Sequence, residues 1–222
     1  LPRLNEDVNE EWISDKARHA CDGLNRQRLD KPYVKKNGKL VPATWAEAFA
    51  AIAARMSATK PEKMAAIVGD LAAAEEIKAL KDLMLSYGDV NLECRQDGAK
   101  VGNGPRQSWL FNTTIAGVES ADAILLIGAN PRWEAPVLNA RIRKAWTNGP
   151  VKIANIGTPV DLTYPVEQLG GADVLSGIAD GSHAFAKVLK DAQRPMIIIG
   201  SGALARADGA AILHLAAKIA GD

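Results

Sequence analysis

Small and polar residues directly follow an apolar stretch near the middle of the chain. Residues 123–127 form the continuous run AILLI, which predicts a strand covered on both faces. Gly128 ends the run, Asn130-Pro131 is a strong turn signal, and Arg132 adds a positive charge. Ligands of open parallel sheets usually bind in the crevice beyond the carboxyl ends of the strands. The sequence therefore places Gly128, Asn130 and Arg132 at a position suited to binding an anion.

A basic amphipathic helix is predicted to follow at residues 136–146. Arg141, Arg143 and Lys144 extend the positive charge along this helix and could support the same anion site. Basic residues also oppose the dipole favourably in a last helical turn, and they commonly form a solvated face. Both interpretations, an anion site and a solvated face, remain open from the sequence.

A second glycine-rich turn, Gly200-Ser201-Gly202-Ala203-Leu204-Ala205, fits the pattern GxGxxA between a predicted strand and a predicted helix. In dinucleotide-binding units such glycines let the backbone approach a pyrophosphate. The acidic residue that would support this function belongs about 20 residues further on, at the end of another strand. A helix is predicted there instead. We therefore interpret residues 200–205 as a strand-to-helix turn, with NAD(P) binding as the alternative.

Other residues capable of catalysis are scattered along the sequence. His19, His183 and His214 lack metal-ligand spacing such as HExxH, and the sequence has no GxSxG or GxxxxGK[ST] motif. Cys21 and Cys94 form no CxxC pair, and two cysteines cannot supply an ordinary zinc or iron–sulfur site. We expect two free, buried thiols in a protein of a reducing compartment.

The elements that must position these turns alternate between strands and helices. Strands are predicted at residues 64–68, 90–92, 123–127, 151–156 and 195–199, and helices at residues 44–56, 73–86, 136–146, 184–190 and 208–219. The segments 95–111 and 157–181 are predicted to be rich in loops and turns. Such alternation predicts an α/β fold with a mostly parallel, Rossmann-like sheet flanked by helices. We predict an irregular N-terminal linking segment, 1–43, and an α/β domain, 44–222.

Local signals sharpen several of these elements. Asn37-Gly38 predicts a hairpin turn, and Thr44 with Glu47 predicts a capping box at the start of a helix. Apolar side chains at helical spacing predict one apolar face on helix 44–56 and an inward face on helix 73–86; they are Phe49, Ile52, Ala53 and Met56 on the first helix, and Ile77, Leu80, Leu83 and Met84 on the second. Trp45 and Trp146 are expected in the core, and Trp133 is placed where a neighbouring module could pack on it.

Composition narrows the class of protein. The chain has 222 residues and a formal net charge of +1, so it carries no global nucleic-acid signature. No apolar run approaches the ~20 residues needed to span a bilayer. The N-terminus LPRLNEDVNEEW is acidic and polar, unlike a signal peptide. We expect a cytoplasmic or matrix-like protein without direct membrane insertion.

Three motifs resemble the molybdopterin-oxidoreductase-like part of the large iron–sulfur subunit, known as the G subunit, of respiratory complex I. They are NTTIAGVE at 112–119, NPRWEAPVLNARIRK at 130–144 and PVDLTY at 159–164. The segment 26–49 is similar to the one that follows the iron–sulfur module in the wider molybdopterin family. The resemblance implies a formate dehydrogenase- or DMSO reductase-like domain. It also implies that this chain is an excised fragment, with the family's iron–sulfur clusters in an N-terminal module that is missing here.

The resemblance also implies a decayed cofactor site. In pterin-binding relatives the loop matching Gly128, Asn130 and Arg132 lies close to the cofactor's pyrophosphate. Catalytic relatives follow the next strand with Asp-Pro-Arg, where this chain has Thr158-Pro159-Val160. Their Gly-Thr-Asp turn matches Gly181-Ser182-His183, and their metal-ligating Cys matches Asp97, after Arg95-Gln96. A carboxylate ligates molybdenum in some relatives, so Asp97 stays open as a ligand. Losing several charged hydrogen bonds, each worth about 1.5–3 kcal/mol, should weaken cofactor binding by several kcal/mol.

Three functions follow as hypotheses. The first, which we favour, is a scaffold module of NADH:quinone oxidoreductase, a proton-translocating respiratory enzyme. This module would support electron transfer with no catalytic, cofactor-binding or metal-binding residue of its own. Its implied partners are the other subunits of complex I and the iron–sulfur module, with no nucleic acid. The resemblance implies a location in the peripheral arm of complex I, on the cytoplasmic side of a bacterial inner membrane or on the matrix side of the mitochondrial membrane. The alternatives are an active molybdopterin-dinucleotide oxidoreductase and an NAD(P)-binding domain.

Overall fold

The structure is a computed structural model that describes residues 1–69, 71–88, 90–94, 98–102 and 104–221. The chain forms two compact units. The first consists of Leu1–His19 together with Asp97–Asp222, and the second is Ala20–Gln96. The predicted boundary between residues 43 and 44 falls inside the second unit; as a division of the family's domains it remains a prediction.

The strands, in chain order, are β1 (Tyr33–Lys36), β2 (Lys39–Pro42), β3 (Ala65–Ile67), β4 (Asn91–Glu93), β5 (Ala123–Ile127), β6 (Lys152–Ile156), β7 (Glu167–Gly170) and β8 (Pro195–Ile199). The helices are α1 (Asp15–Ala20), α2 (Trp45–Ser57), α3 (Ala74–Leu85), α4 (Pro131–Glu134), α5 (Pro136–Asn148), α6 (Val174–Ala179), α7 (Ala184–Asp191), α8 (Ser201–Ala205) and α9 (Gly209–Gly221). Short 3-10 turns lie at Cys21–Asn25, Pro61–Lys63, Arg106–Ser108 and Ala116–Ser120.

The first unit is built on a parallel sheet of four strands in the order β7-β6-β5-β8. All five residues of β5 are buried, as expected for a strand with neighbours on both edges and cover on both faces. One face of the sheet packs on Leu175, Phe185 and Ile212 from α6, α7 and α9. The other packs on Ile142 of α5 and Leu162. The predicted α/β fold with a parallel sheet and flanking helices is confirmed in these terms.

Agreement is closest where the sequence is continuously apolar. The predicted strands 123–127 and 195–199 have the same bounds as β5 and β8. The prediction that residues 157–181 are rich in loops and turns missed β7 and α6, which lie there. Strand β7 is EQLG and α6 is VLSGIA, so neither is long enough to show a period, and tertiary packing decides them.

The second unit contains a hairpin and a parallel pair of strands. Strand β1 pairs with β2 in antiparallel register, and Asn37 (φ 52°) and Gly38 (φ 80°) form the turn, as predicted. Thr44 Oγ1 accepts from the Glu47 amide at 3.2 Å and Glu47 Oε2 accepts from the Thr44 amide at 2.8 Å, so the capping box is confirmed. Strand β3 pairs with β4 in parallel.

Several burial predictions in the second unit are wrong. Trp45, which was expected in the core, is 65% exposed, and the apolar face predicted on the same helix is exposed at Phe49 and Ile52. On α3, Met84 is buried as predicted, whereas Ile77 and Leu83 are exposed. Two-stranded sheets offer little apolar surface for covering helices, which is the physical reason for this exposure within the described residues.

Two further predictions concern the tryptophans and the cysteines. Trp146 packs against the core of the first unit, as expected, and Trp133 is 71% exposed. Cys21 and Cys94 are exposed, so their predicted burial is wrong; neither lies in an apolar run that a core could cover. Among the described residues, no helix combines the length and hydropathy of a membrane span.

Candidate functional site

Glycines bring the carboxyl ends of β5, β6 and β8 close together. The Gly128 amide donates to the Ile156 carbonyl oxygen at 2.8 Å, and the Gly200 amide donates to the Ile127 carbonyl oxygen at 2.9 Å. Gly128 has a φ of 57°, a conformation that favours glycine. A Cβ on Gly200 would lie 2.2 Å from the Gly128 carbonyl oxygen. This close backbone contact therefore requires glycine at position 200.

The crevice expected to bind ligands lies between β5 and β8. Strand β6 pairs with one edge of β5, and β8 pairs with the other edge. The strand order therefore reverses at β5 and β8, which makes this the topological switch point. Helix α8 packs at this point, with Ala203 and Leu204 buried. A Cβ on Gly128 would lie 2.8 Å from the Cβ of Ala203. Protein atoms thus fill the side of Gly128 that faces α8.

Asn130 begins the short helix α4, and its backbone donor is already used. The Asn130 amide donates to Glu134 Oε1 at 2.9 Å. A carboxylate of the chain therefore already satisfies this backbone donor. Asn130 Oδ1 is buried and has no hydrogen-bond partner among the described residues.

Arg132 is exposed and forms an ion pair within the chain. Its Nη1 lies 2.6 Å from Asp161 Oδ2 and donates to the Asp161 carbonyl oxygen at 3.2 Å. The Thr163 amide and, next, the Arg132 guanidinium hold the pKa of Asp161 below its ordinary value. The carboxylate of the PVDLTY motif thus neutralises the predicted anion-binding cation.

The loop after β6, which carries Thr158-Pro159-Val160, is held by buried polar side chains. Asn155 Nδ2 donates to the Thr158 carbonyl oxygen at 3.0 Å and to Gln168 Oε1 at 2.8 Å. Further on, the Tyr164 hydroxyl donates to Asn139 Oδ1 at 2.7 Å. Asn139 and Asn155 are both buried. Loop 157–166 is therefore fixed through protein–protein hydrogen bonds.

The basic residues of α5 bind groups of the chain itself. Arg141 is only 4% exposed, so the solvated-face prediction is wrong for it. Its Nη1 lies 2.5 Å from Glu119 Oε1, and Lys144 Nζ lies 3.1 Å from Glu119 Oε2. The Arg143 guanidinium donates to the Thr163 carbonyl oxygen. These side chains therefore stabilise contacts within the chain. Among the described contacts, this helix has no free cation for the predicted anion site.

Glu119 and Lys144 have shifted pKa values because of this pairing. Burial works to raise the pKa of Glu119, but hydrogen bonds from Arg141 and Lys144 outweigh it and hold the pKa below 4.5. Hydrogen bonds to Glu10 and Glu119 raise the pKa of Lys144 above 10.5. The Glu119 contribution to stability is full above pH 4.5 and is lost as the pH falls through the lower folded-state pKa.

The GxGxxA segment is a strand-to-helix turn. Gly200 contacts the backbone of Gly128, α8 has only five residues, and a Cβ on Gly202 would meet no atom within 4 Å. Gly200 is therefore explained by packing. This geometry agrees with the favoured sequence interpretation.

The remaining predicted residues form no catalytic cluster in the described part of the chain. His183 Nδ1 accepts from the Phe185 amide at 3.2 Å and so caps α7. Among described residues, no three His, Cys, Asp or Glu side chains group as a metal site. Arg95, Gln96 and Asp97 lie outside the described residues.

Sequence reasoning missed the acidic partners of the basic residues. Glu134 and Asp161 lie in the quoted motifs, and Glu119 ends NTTIAGVE, but the pairs of Asp161 and Glu119 join segments 29 and 22 residues apart. Asp122 was also missed: its carboxylate accepts from the amides of Gln193 and Arg194 at 2.7 and 2.9 Å. The signal was available only as an acidic residue directly before a buried strand.

Comparison with known proteins identifies the family. Residues 28–221 match the family model described as molybdopterin oxidoreductase. The chain belongs to the molybdopterin oxidoreductase family. Residues 1–22 match a second model, the 4Fe-4S domain of NADH-ubiquinone oxidoreductase NDSU1/NuoG-like proteins. The expectation that the iron–sulfur module lies wholly outside this chain is therefore wrong for residues 1–22.

Relatives within the molybdopterin oxidoreductase family confirm the resemblance to the large iron–sulfur subunit. The chain is 50% identical over 220 residues to the G subunit of NADH-quinone oxidoreductase from Rickettsia felis, and 49% identical to that from Rickettsia conorii. Each match covers 99% of this chain and 33% of the relative, so the chain spans about a third of their length.

A solved structure shares the fold at low identity. A chain of the formyltransferase/hydrolase complex from Methylorubrum extorquens aligns with a TM-score of 0.54 at 18% identity. The alignment covers 81% of this chain and 56% of that one. At this identity the likeness extends to the fold alone.

Proposed function

We propose that this chain is a structural module of the large iron–sulfur subunit of NADH:quinone oxidoreductase. It supports the transfer of electrons from NADH to quinone and supplies no catalytic group of its own. The observation that carries this proposal is the 50% identity to the Rickettsia felis G subunit across 99% of the chain. The match of residues 1–22 to the 4Fe-4S domain supports the same assignment.

The residues at the switch point do not fit a molybdenum–pterin dinucleotide. Arg132 is paired with Asp161, and the Asn130 amide is bonded to Glu134. Ala203 packs against Gly128 where a Cβ would project. A charged cofactor at this edge would have to compete with the carboxylates of Asp161 and Glu134, so Gly128, Asn130 and Arg132 form a relict loop in this proposal.

The proposal extends to the organisation of the whole subunit. The α/β part is Rossmann-like, of the formate dehydrogenase type, and occupies 44–222 after a linking segment, 1–43, whose residues 1–22 belong to the iron–sulfur module. The iron–sulfur clusters lie in the N-terminal module, because two cysteines cannot hold a four-iron cluster. The partners are that module and other complex I subunits. The module is located in the peripheral arm of the enzyme, on the cytoplasmic or matrix side of the membrane. The assembled enzyme is proton-translocating.

One observation favours the alternative of an active pterin site. Asn130 Oδ1 is a buried acceptor without a partner among the described residues, and a bound donor would satisfy it. Membership of the molybdopterin oxidoreductase family is compatible with that alternative. A single acceptor does not replace the charged groups that a pyrophosphate requires, so the structural role remains our conclusion.

The experiment is assembly of the complex in a host that cannot synthesise the molybdenum–pterin cofactor. The full subunit carrying this chain is expected to assemble there and to give unchanged NADH:quinone activity. A pterin-dependent oxidoreductase of the same host serves as the control and should be inactive. Loss of NADH:quinone activity in that host, with normal activity in the parent, would favour the pterin alternative.

A further inference from the structure

A closed loop near the N-terminus contacts the Arg141 side chain of α5. We call Asn5–Glu10 the anchor loop, since Asn5 and Glu10 exchange backbone hydrogen bonds across it, at 3.1 and 2.7 Å. Glu10 has a φ of 51°, a conformation that residues other than glycine adopt rarely. The loop is therefore a defined structure and not an extended strand.

The anchor loop presents three oxygen groups to Arg141. The Arg141 Nη2 atom donates to the carbonyl oxygens of Glu6 and Val8, and Nη1 lies 3.8 Å from Glu10 Oε1. A planar guanidinium with several donors suits such a set of carbonyl and carboxylate acceptors. Because Arg141 is 4% exposed, removing these acceptors would leave a buried cation short of partners.

Two lysines add contacts between the N-terminal segment and the helices α4 and α5. Lys144 Nζ lies 2.6 Å from Glu10 Oε1, so Glu10 faces both cations of α5. Beyond the loop, Lys16 Nζ donates to the Trp133 carbonyl oxygen at 2.8 Å. The segment 5–16 is thus attached to α4 and α5 through contacts between residues 117 and 134 positions apart in sequence.

We propose that Arg141 is a positioning residue that docks the iron–sulfur module onto the α/β unit by binding the anchor loop. This rests on the proposed function, because it is there that residues 1–22 belong to the iron–sulfur module. The partner recognised is a tight loop offering two backbone carbonyls and one carboxylate. Arg141 and Lys144 bind the loop, and Glu119 forms ion pairs with both cations.

The test is amide hydrogen exchange of the anchor loop in the whole chain. Glu10→Gln and Arg141→Met are each expected to speed exchange of residues 5–10 about tenfold, as loss of a charge-assisted hydrogen bond would. The amides of β5 should keep their protection. Glu11→Gln removes the same charge one residue away and is the matched control, with no change expected.

The outcomes decide the proposal. Unchanged exchange of residues 5–10 in Arg141→Met, with β5 still protected, overturns it. If Arg141→Met also exposes β5, global unfolding explains that variant, and Glu10→Gln alone decides. The measurement does not depend on assembly of the respiratory enzyme, so failure of the docking role and failure of the proposed function are separate results.

Discussion

Gly200 and Gly202 lie two residues apart and have opposite surroundings. A Cβ at position 200 would lie 2.2 Å from a backbone oxygen, whereas one at position 202 would meet open space. Gly200→Ala should lower the free energy of unfolding by about 1–3 kcal/mol through overpacking. Gly202→Ala, within α8, should leave it unchanged or raise it by about 0.5–1 kcal/mol. Urea denaturation of both variants checks this.

The same pair of variants distinguishes packing from dinucleotide binding. In a dinucleotide fingerprint the second glycine is needed for approach of the pyrophosphate. An equal loss of stability from both substitutions would contradict the packing account. A thermal stabilisation by NAD(P)H that Gly202→Ala abolishes would contradict it as well.

At the level of single residues, types were predictable and partners were not. Gly128, Asn130 and Arg132 lie at the carboxyl edge of the sheet, as the apolar run before them indicated. The sequence alone could not show that Arg132 pairs with Asp161 or that Arg141 is buried, because both depend on how loops from distant segments fold back. Opposite charges are frequent in a sequence, and only geometry selects the pairs.

A buried hydrogen-bond chain joins α5 to the loop that follows β6. Tyr164 donates to Asn139, and Asn139 Nδ2 donates to the Leu162 carbonyl oxygen at 3.2 Å. Tyr164→Phe removes the donor and leaves a buried acceptor, so the free energy of unfolding should fall by about 1–2 kcal/mol. Tyr33→Phe, at an exposed hairpin position, is the control and should have little effect.

This contact also predicts a dependence on alkaline pH. Burial raises the pKa of Tyr164 above its ordinary value of 10.0. The folded state therefore holds the phenolic proton where the unfolded state loses it, and this stabilisation is full below pH 10.0 and declines above it. The difference between the wild type and Tyr164→Phe should shrink as the pH rises above 10.0. A constant difference across that range would contradict the buried hydrogen bond.

At the level of helices and strands, the predictions were most accurate where the local sequence pattern was strongest. Strand β5 and the capping box of α2 follow from local patterns and were confirmed. Strand β7 and helices α6 and α8 have four to six residues, too few for a period to be seen. The apolar face of α2 was recognised, but its exposure could not be predicted, because burial depends on what the rest of the fold offers as cover.

The first unit combines the family fold with a carboxyl edge whose charged groups are paired within the chain. The parallel sheet, its glycine turns and the PVDLTY loop are arranged around the switch point, and the charged groups there are paired with one another. The basic face of α5 holds the N-terminal segment through Arg141 and Lys144. Under the proposed function, this part of the molecule holds protein segments together and binds no cofactor.

Molybdenum and pterin content of the purified full subunit tests this central claim most directly. The account predicts far less than stoichiometric amounts of both, even when the subunit is produced in a host that makes the cofactor abundantly. A pterin-dependent oxidoreductase purified in parallel is the control and should retain both. Stoichiometric molybdenum and pterin, retained through purification and lost on Arg132→Gln, would contradict the account.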